Sequence, residues 1–445
     1  MTLIDIATLL KIPCRDDIVL SGICIDSRQV KPGSLFIAIQ GERCDGHQFI
    51  PDVVAQGAAA IVCNRSTPGI SIPQLIVPNT LQALADIAMH HREQIDCTAI
   101  ALTGSNGKTT VKEMIACILP APAFATPGNL NNHIGVPLSL LQLESKHRYA
   151  VFELGANHRG EIAYTVAMVK PQVTYINNIA PAHIEGFGSI DGVANAKGEI
   201  HQGLALDGVA VINDDDAYAN FWNPLLVNKK TLRFSAKKTA AIYARDVIYN
   251  AEGCAQFMLV TPQGETSIQL KVPGAHNVSN ALAATACTYA LGLGLTEIAA
   301  GLSQFNGVAG RMTFLRGKNN ALIIDDTYNA NLQSVLSAIN VLSARQGKRI
   351  FVFGDMGELG VWSEQHHQDV GIAARNQGID SVMTCGNYSE LTTKAFGENA
   401  RHYSTQEALV QDLLTQLDQP TTVLVKGSRS SAMENIVRQL IAPSL

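Results

Sequence analysis

The apolar run TAIALTG passes directly into Ser105-Asn106-Gly107-Lys108-Thr109-Thr110, after which Val111, Ile115 and Ile118 return at helical spacing. A buried strand, a Gly-rich turn and an amphipathic helix in that order leave few architectures open. They form the βα step of an open α/β sheet, with the loop at the strand's carboxyl end, where such sheets bind ligands. Gly104 and Gly107 let backbone N–H groups face a phosphate, Lys108 supplies positive charge, and the Thr109 hydroxyl suits magnesium. Gly104, Ser105, Asn106, Gly107, Lys108, Thr109 and Thr110 are therefore the expected nucleotide-phosphate contacts. The general phosphate-loop pattern has Gly where this chain has Leu102. An ordinary Gly-rich turn is the competing reading, and the strand–loop–helix context favours the nucleotide.

The rest of the chain sorts into three stretches. Before residue 97, GICIDSR, SLFIAIQG, AAAIVCN and QLIVPN alternate with Pro, Gly and polar residues, the pattern of a small α/β domain. Residues 97–313 add expected strands at YAVFELG, VTYINNI, GVAVIND and TLRFSA. Further β-structure is expected over 240–272, then a helix from about His276. A second strand–helix series begins at Ala321 with ALIIDDTYNA, SVLSAINVLSA, RIFVFGDMG, SVMTCGN and TTVLVKGS, and predicts another α/β domain with a parallel sheet. The expected boundaries are 1–96, 97–313 and 314–445, close to the prior of roughly 150 residues per domain. The run ALAATACTYALGLGLTEIAAGL contains Glu297 and reads as buried helices and a turn, not a membrane span.

Composition removes several classes of function. With 33 Lys+Arg against 38 Asp+Glu, a formal charge of −5 and 16% charged residues, the chain has no basic reservoir for a nucleic-acid backbone. Nine Cys without paired C-x-x-C spacing read as free thiols in a reducing compartment, so a cytoplasmic location is expected. The acidic residues Asp5 and Asp16 and the short apolar run at the start argue against a signal peptide.

Other polar residues fall at expected strand ends. Glu153, in VFELGANHRG, is a hard carboxylate suited to magnesium. His183, in NNIAPAHIEGFGS, reads equally as a metal ligand or a structural histidine. Lys197, in NAKGEI, is by itself an ordinary surface lysine. Asp325 and its neighbours in DDTYNAN, and the acids of GDMGELG, either face a bound substrate or only cap helices and satisfy turns. Arg311, beside Gly310, has the right chemistry to reach a phosphate across a cleft.

Together, DSRQVKPGSLFIAIQGERCDGHQF, TGSNGKTT, GNLNNHIGVP, FELGANHRGEI, NNIAPAHIEGFGS, AKGEI, AHNVSNALAA, GRM, DDTYNANLQS, GDMGELG and KGSRSSAMENIV resemble the ATP-dependent Mur ligase family over nearly the whole chain. NNHIGVP, AHIEGFGS, DDTYNAN and GDMGELG resemble its dipeptide-adding branch. The resemblance implies a three-domain α/β architecture, with a central P-loop ATPase domain and a C-terminal Rossmann-like domain for nucleotide and acceptor. It places the UDP end of a sugar-peptide precursor at Ser27, Arg28, Asp45, Gly46 and His47, and the sugar-peptide at Asn131 and Asn132. It gives Lys108 and Arg311 to the transferring phosphate, Asn280 to the adenine side and Asp325 to the ribose. Magnesium falls to Thr109, Glu153, His183 and Lys197, the last as a carbamylated lysine, and Lys108, Lys197, His183 and Arg311 form the catalytic set.

The implied activity is ligation of D-alanyl-D-alanine to UDP-N-acetylmuramoyl-tripeptide through an acyl phosphate, in cell-wall precursor synthesis. ATP and magnesium are the implied cofactors and a monomer is the expected state. The alternatives are a single-amino-acid-adding Mur enzyme, a folate polyglutamylase, and a regulatory protein that binds nucleotide without turnover. Acceptor scanning separates the enzymes, and failure to turn over separates the last.

Overall fold

The computed structural model describes residues 1–41, 44–181 and 184–442, and its named strands form sheets of four, nine and six. Two compact units divide the chain. The first comprises Met1–Cys97, Thr126–Arg148 and Ala167–Val169, and the second the remainder.

In the first unit the strands Gly22–Cys24, Ser34–Ile37, Ala60–Cys63 and Gln74–Ile76 pair in chain order, all parallel. The two inner strands are buried at every position, as a parallel sheet covered on both faces requires. One face packs against the helices Leu3–Leu9 and Thr80–Glu93 through Leu3, Ile6, Leu84 and Ile87; the other packs against Ile50–Ala55. The helix Thr80–Glu93 starts where the Asn79 side chain accepts from Leu81 and Gln82 N–H, and His90, His91 and Arg92 in its last turn oppose its dipole. Arg92 is buried and donates to the carbonyls of Val169, Ile95 and Cys97.

In the second unit the strand Thr98–Thr103 lies between Tyr149–Glu153 and Val173–Ile176, parallel to both. Ala123–Ala125 closes one edge, while Val209–Asn213, Lys230–Ser235 and Ile242–Tyr249 continue the other. Cys254–Thr261 and Gly264–Pro273 then add to the sheet, giving the β-structure expected over 240–272, and their pairing is antiparallel. The helices Lys108–Ile118, His276–Ala290 and Leu295–Gln304 cover one face, with Val111, Ile115 and Ile118 in a common core with Leu282 and Leu302. The Ala-rich run 281–302 is thus a buried helix, a turn and a second helix that is half exposed and buries only Ile298, Gly301 and Leu302, not the two buried helices expected. Among the described residues no helix is long and apolar enough to cross a membrane.

The six-stranded sheet orders Thr313–Arg316, Leu322–Asp326, Thr422–Lys426, Arg349–Phe353, Ser381–Cys385 and Ala400–Tyr403. The last strand in sequence inserts beside the first of the parallel set. Helices Leu332–Ser343 and Ser363–Asn376 cover one face, and Gln406–Leu414 and Glu434–Leu440 the other. Sequence reading began this series at Ala321 and missed its antiparallel edge, Thr313–Arg316. Four residues with no strict alternation carry too little signal to be read as a strand.

Candidate active site

The phosphate loop joins the central strand to the helix Lys108–Ile118, which begins at Gly107 in a left-handed conformation. A Cβ at Gly107 would lie 2.4 Å from Asn177 Nδ2 and 3.0 Å from Asn280 Oδ1. Glycine is therefore needed for its φ and for the space. Beneath the loop runs a chain of amides: Asn280 donates to Asn277 Oδ1 at 2.9 Å, and Asn177 donates to the Asn106 carbonyl at 2.7 Å while accepting from Tyr175. Ser105 and Ala180 exchange hydrogen bonds through the Ser105 hydroxyl, and Asn106 N–H donates to Asn178 Oδ1. These bonds hold the loop's backbone in place ahead of any ligand. Thr110 sits in the first turn of the helix that follows.

Around Thr109 the distant residues converge. Its hydroxyl donates to Glu153 Oε2 at 2.8 Å and accepts from Arg311 Nη2 at 2.8 Å. The Arg311 guanidinium lies 4.1 Å above the Tyr328 ring, a cation–π contact that orients it. Lys108 Nζ donates to the Gly104 carbonyl at 2.7 Å. Burial lowers the Lys108 pKa, Arg311 lowers it further, and Glu153 acts in the opposite sense. Lys197, 2% exposed, lies on the helix Ile190–Gly198 and has no ion pair among the described residues. Burial first, and the nearby Lys108 second, hold its pKa well below the usual lysine range.

Two buried polar atoms here, Thr103 Oγ1 and Arg311 Nε, have no hydrogen-bond partner among the described residues. Unsatisfied polar groups beside a phosphate loop suit an oxyanion that satisfies them. Thr109 and Glu153 are hard oxygen donors of the kind magnesium takes, completed by water and phosphate oxygens. Among the described residues no group of three or more His, Cys, Asp or Glu could hold a metal ion. Two hard oxygen donors on one side of the loop suit a cation whose other positions are filled by water and phosphate oxygens. His183 lies outside the described residues.

Asp325 ends the strand Leu322–Asp326, and its Oδ1 accepts from Thr327 N–H and hydroxyl. Asn331 caps the helix Leu332–Ser343 through Ser334 N–H and also donates to Asn106 Oδ1 at 2.6 Å. The sequence placed Tyr328 and Asn331 among the DDTYNAN residues that face a substrate or only cap and turn, but not their links to Arg311 and Asn106, and it assigned no role to Asn177 or Asn277. For Asn277 the i, i+3 spacing from Asn280 on one helix face was the local signal.

The residues expected to hold UDP and sugar-peptide all lie in the first unit. Ser27 and Arg28 sit in a single helical turn capped by Asp26, and the Arg28 guanidinium binds Asp26 through two nitrogens, holding that carboxyl down at about 2. Asp45 likewise sits at about 2, because of Arg65 and then the His47 N–H. Both His47 ring nitrogens are engaged, Nδ1 with Asp45 at 2.7 Å and Nε2 with Asn64 N–H, so this buried ring fixes the turn around Gly46. The Asn132 side-chain oxygen accepts from Ile134 and Gly135 N–H at the start of the helix Gly135–Leu140. Asn131 is adjacent to it in the chain.

Sequence profiles described as the Mur ligase family catalytic domain, the Mur ligase middle domain and the Mur ligase glutamate ligase domain match residues 19–92, 102–288 and 310–429. The UDP-N-acetylmuramoyl-tripeptide–D-alanyl-D-alanine ligase of Escherichia coli (strain K12) is 44% identical over 95% of this chain and 94% of its own. The chain belongs to the Mur ligase family. The Haemophilus influenzae ligase of the same name is 43% identical over 96% of this chain and 94% of its own. A crystal structure of Acinetobacter baumannii MurF superposes with a TM-score of 0.92 at 38% identity, covering 99% of this chain and 98% of that one. The Thermotoga maritima MurF ligase in complex with ADP gives 0.82 at 26% identity, covering 96% and 98%. The three-domain Mur ligase architecture implied by the sequence is therefore the fold of this chain.

Proposed function

We propose that this Mur ligase joins D-alanyl-D-alanine to UDP-N-acetylmuramoyl-tripeptide with ATP, yielding the pentapeptide precursor of peptidoglycan, ADP and phosphate. The observation that carries the reading is the Thr109 hydroxyl held between Glu153 and Arg311 at the phosphate loop, in a chain 44% identical to a ligase of that name. The chain is divided by function into 1–96 for the UDP-substrate, 97–313 for ATP and 314–445 for nucleotide and acceptor.

The terminal carboxylate of the tripeptide attacks the γ-phosphorus and ADP departs, leaving an acyl phosphate. Lys108 leaves the Gly104 carbonyl for the phosphate oxygens, and Arg311 turns its unsatisfied Nε toward the same charge. Glu153, Thr109, His183 and a carbamylated Lys197 are the residues we assign to magnesium, which when bound neutralises charge on the phosphates. The free amine of the dipeptide then attacks the activated carbonyl, a tetrahedral intermediate forms, and phosphate leaves as the peptide bond closes. Ser27, Arg28, Asp45, Gly46, Asn131 and Asn132 are assigned to the UDP-sugar-peptide, with His47 acting through the turn it braces. Asn280 supports the loop from below and toward the adenine side, and Asp325 keeps its second carboxylate oxygen for the ribose. The protein is proposed to work as a cytoplasmic monomer.

Purified protein is incubated with ATP, magnesium, UDP-N-acetylmuramoyl-tripeptide and D-alanyl-D-alanine, with phosphate release and product mass followed together. One dipeptide addition that needs all four components is expected. Reaction with single amino acids instead would reassign the acceptor, and nucleotide binding without turnover would remove the ligase reading.

A further inference from the structure

Among the described residues Lys197 has no ion-pair partner to aim it, yet it stands on a helix that is clamped from two sides. On one side is Trp222, 4% exposed. Its indole N–H donates to the Ala194 carbonyl at 3.0 Å, in the turn that carries Lys197. The same ring lies so close to Gly198 that a Cβ there would come within 2.6 Å of its Cδ1 and Nε1. It also meets His201 edge-on, with ring centroids 6.1 Å apart. His201 in turn pairs through Nδ1 with the Thr174 hydroxyl at 2.9 Å, on the strand Val173–Ile176. One indole thus binds the residues before, after and beyond Lys197 to the sheet.

On the other side is Glu199, whose carboxylate accepts from Gly160 N–H at 2.8 and 3.0 Å and from Ala163 N–H at 3.1 Å. These are backbone donors at the start of the helix Glu161–Val169. Lys197 is therefore fixed through its backbone, by anchors two residues beyond it and by an indole packed on its helical turn. Such a frame gives a buried side chain its direction through the backbone, where no carboxylate among the described residues pairs with its tip.

We infer that Trp222, seated against Gly198, is a positioning residue that holds Lys197 for carbamylation. The inference rests on the assignment of Lys197 made above. In the step it serves, the neutral Nζ lone pair forms a bond to the carbon of CO₂, one C=O electron pair moves onto oxygen, and an N–H proton goes to solvent. The product is a carbamate carboxylate, and no oxidant or further reactant is needed. Trp222 touches neither substrate nor reacting atoms. It keeps the amine where the carbamate is formed and retained, and Gly198 gives the indole the room to do so.

The test uses the full chain equilibrated with ¹³C-bicarbonate and reads the carbamate carbon by NMR. Wild type, Lys197→Ala, Trp222→Phe and Gly198→Ala are compared, with thermal melting recorded for each. Wild type is expected to give a carbamate resonance that Lys197→Ala lacks. Trp222→Phe keeps an aromatic ring but loses the N–H, and Gly198→Ala keeps the indole but displaces it. Both are expected to need about tenfold more bicarbonate for the same signal. A folded Trp222→Phe and Gly198→Ala pair with the wild-type bicarbonate dependence would overturn the role of Trp222 alone. Absence of the resonance in wild type would overturn both this inference and the carbamylated Lys197, while leaving the ligase assay untouched.

Discussion

Two lysines in the second unit are equally buried and opposite in design. Lys426, 2% exposed, ends the strand Thr422–Lys426; its Nζ donates to Asp326 Oδ2 at 2.6 Å and to the Asn329 carbonyl at 2.9 Å. Lys197, also 2% exposed, has no carboxylate partner among the described residues and a second cation, Lys108, nearby. The paired lysine closes a loop, tying the last strand of the six-stranded sheet to DDTYNAN. The other is held by its helix, and burial lowers its pKa, which suits the nucleophile proposed above better than a counter-ion. Burial alone therefore does not separate structure from chemistry. What lies at the end of the side chain does.

The largest expected effect breaks the pair. Lys426→Met leaves Asp326 largely buried without its cation and should lower stability by about 3–5 kcal/mol. Urea unfolding measures it, and adding Asp326→Asn should restore much of the loss. A single variant as stable as wild type would show that Lys426 is not the tie described here. At the other lysine the sign reverses: Lys197→Met removes a buried amine with no counter-charge among the described residues, so the unfolding midpoint should hold or rise. Turnover should nevertheless drop by about 10²–10³-fold, the scale of losing one group that manages charge in a transition state. Full activity in this variant would return Lys197 to a packing role.

A titratable ring next to Lys197 sharpens the same contrast. Burial pushes the His201 pKa down from 6.5 to about 4, and its Nε2 has no partner among the described residues. The folded ring is neutral where the unfolded one would take a proton. Its contribution is thus fully present above about 6.5 and is lost as pH falls toward 4, by at most about 3 kcal/mol. Urea midpoints between pH 7 and 4 should fall less steeply in His201→Gln than in wild type. Identical slopes would mean that the folded ring takes up its proton as readily as the unfolded one.

How much of this was legible in the sequence follows from range. The phosphate loop was, because a strand, two glycines, Lys108 and an amphipathic helix are contiguous and each has a local reason. The three sheets were, because parallel strands such as Ala60–Cys63 and Arg349–Phe353 appear as short apolar runs between turns. The family resemblance also pointed to Glu153 and Arg311, although nothing local in the chain says that they meet at Thr109. Lys426 with Asp326, Trp222 with Gly198 and Asn331 with Asn106 were not legible: each contact joins residues from 24 to 225 positions apart, and no periodicity encodes it. At His47 and Asn132, local turn and capping chemistry accounts for hydrogen bonds that the resemblance alone would have left to substrate.

The smallest effect tests whether the six-stranded sheet speaks to the phosphate loop at all. Asn331 does two jobs with one amide: its oxygen caps a helix through Ser334 N–H, and its nitrogen reaches Asn106 at 2.6 Å. Asn106 also donates to Gln333 at 3.4 Å, so the loop touches that helix twice. Asn331→Ser keeps a good cap, because a serine hydroxyl also accepts from the third residue's N–H, but it is too short to bridge to Asn106. Thermal melting should stay near wild type. The Michaelis constant for ATP should rise by about fivefold, the scale of one hydrogen bond near 1 kcal/mol. Combined with Asn106→Ala, the second change should add little, since both remove the same bond. Additive losses in that cycle would mean that the loop is held by the Asn177 and Asn178 amides alone, and that the two sheets respond to nucleotide independently.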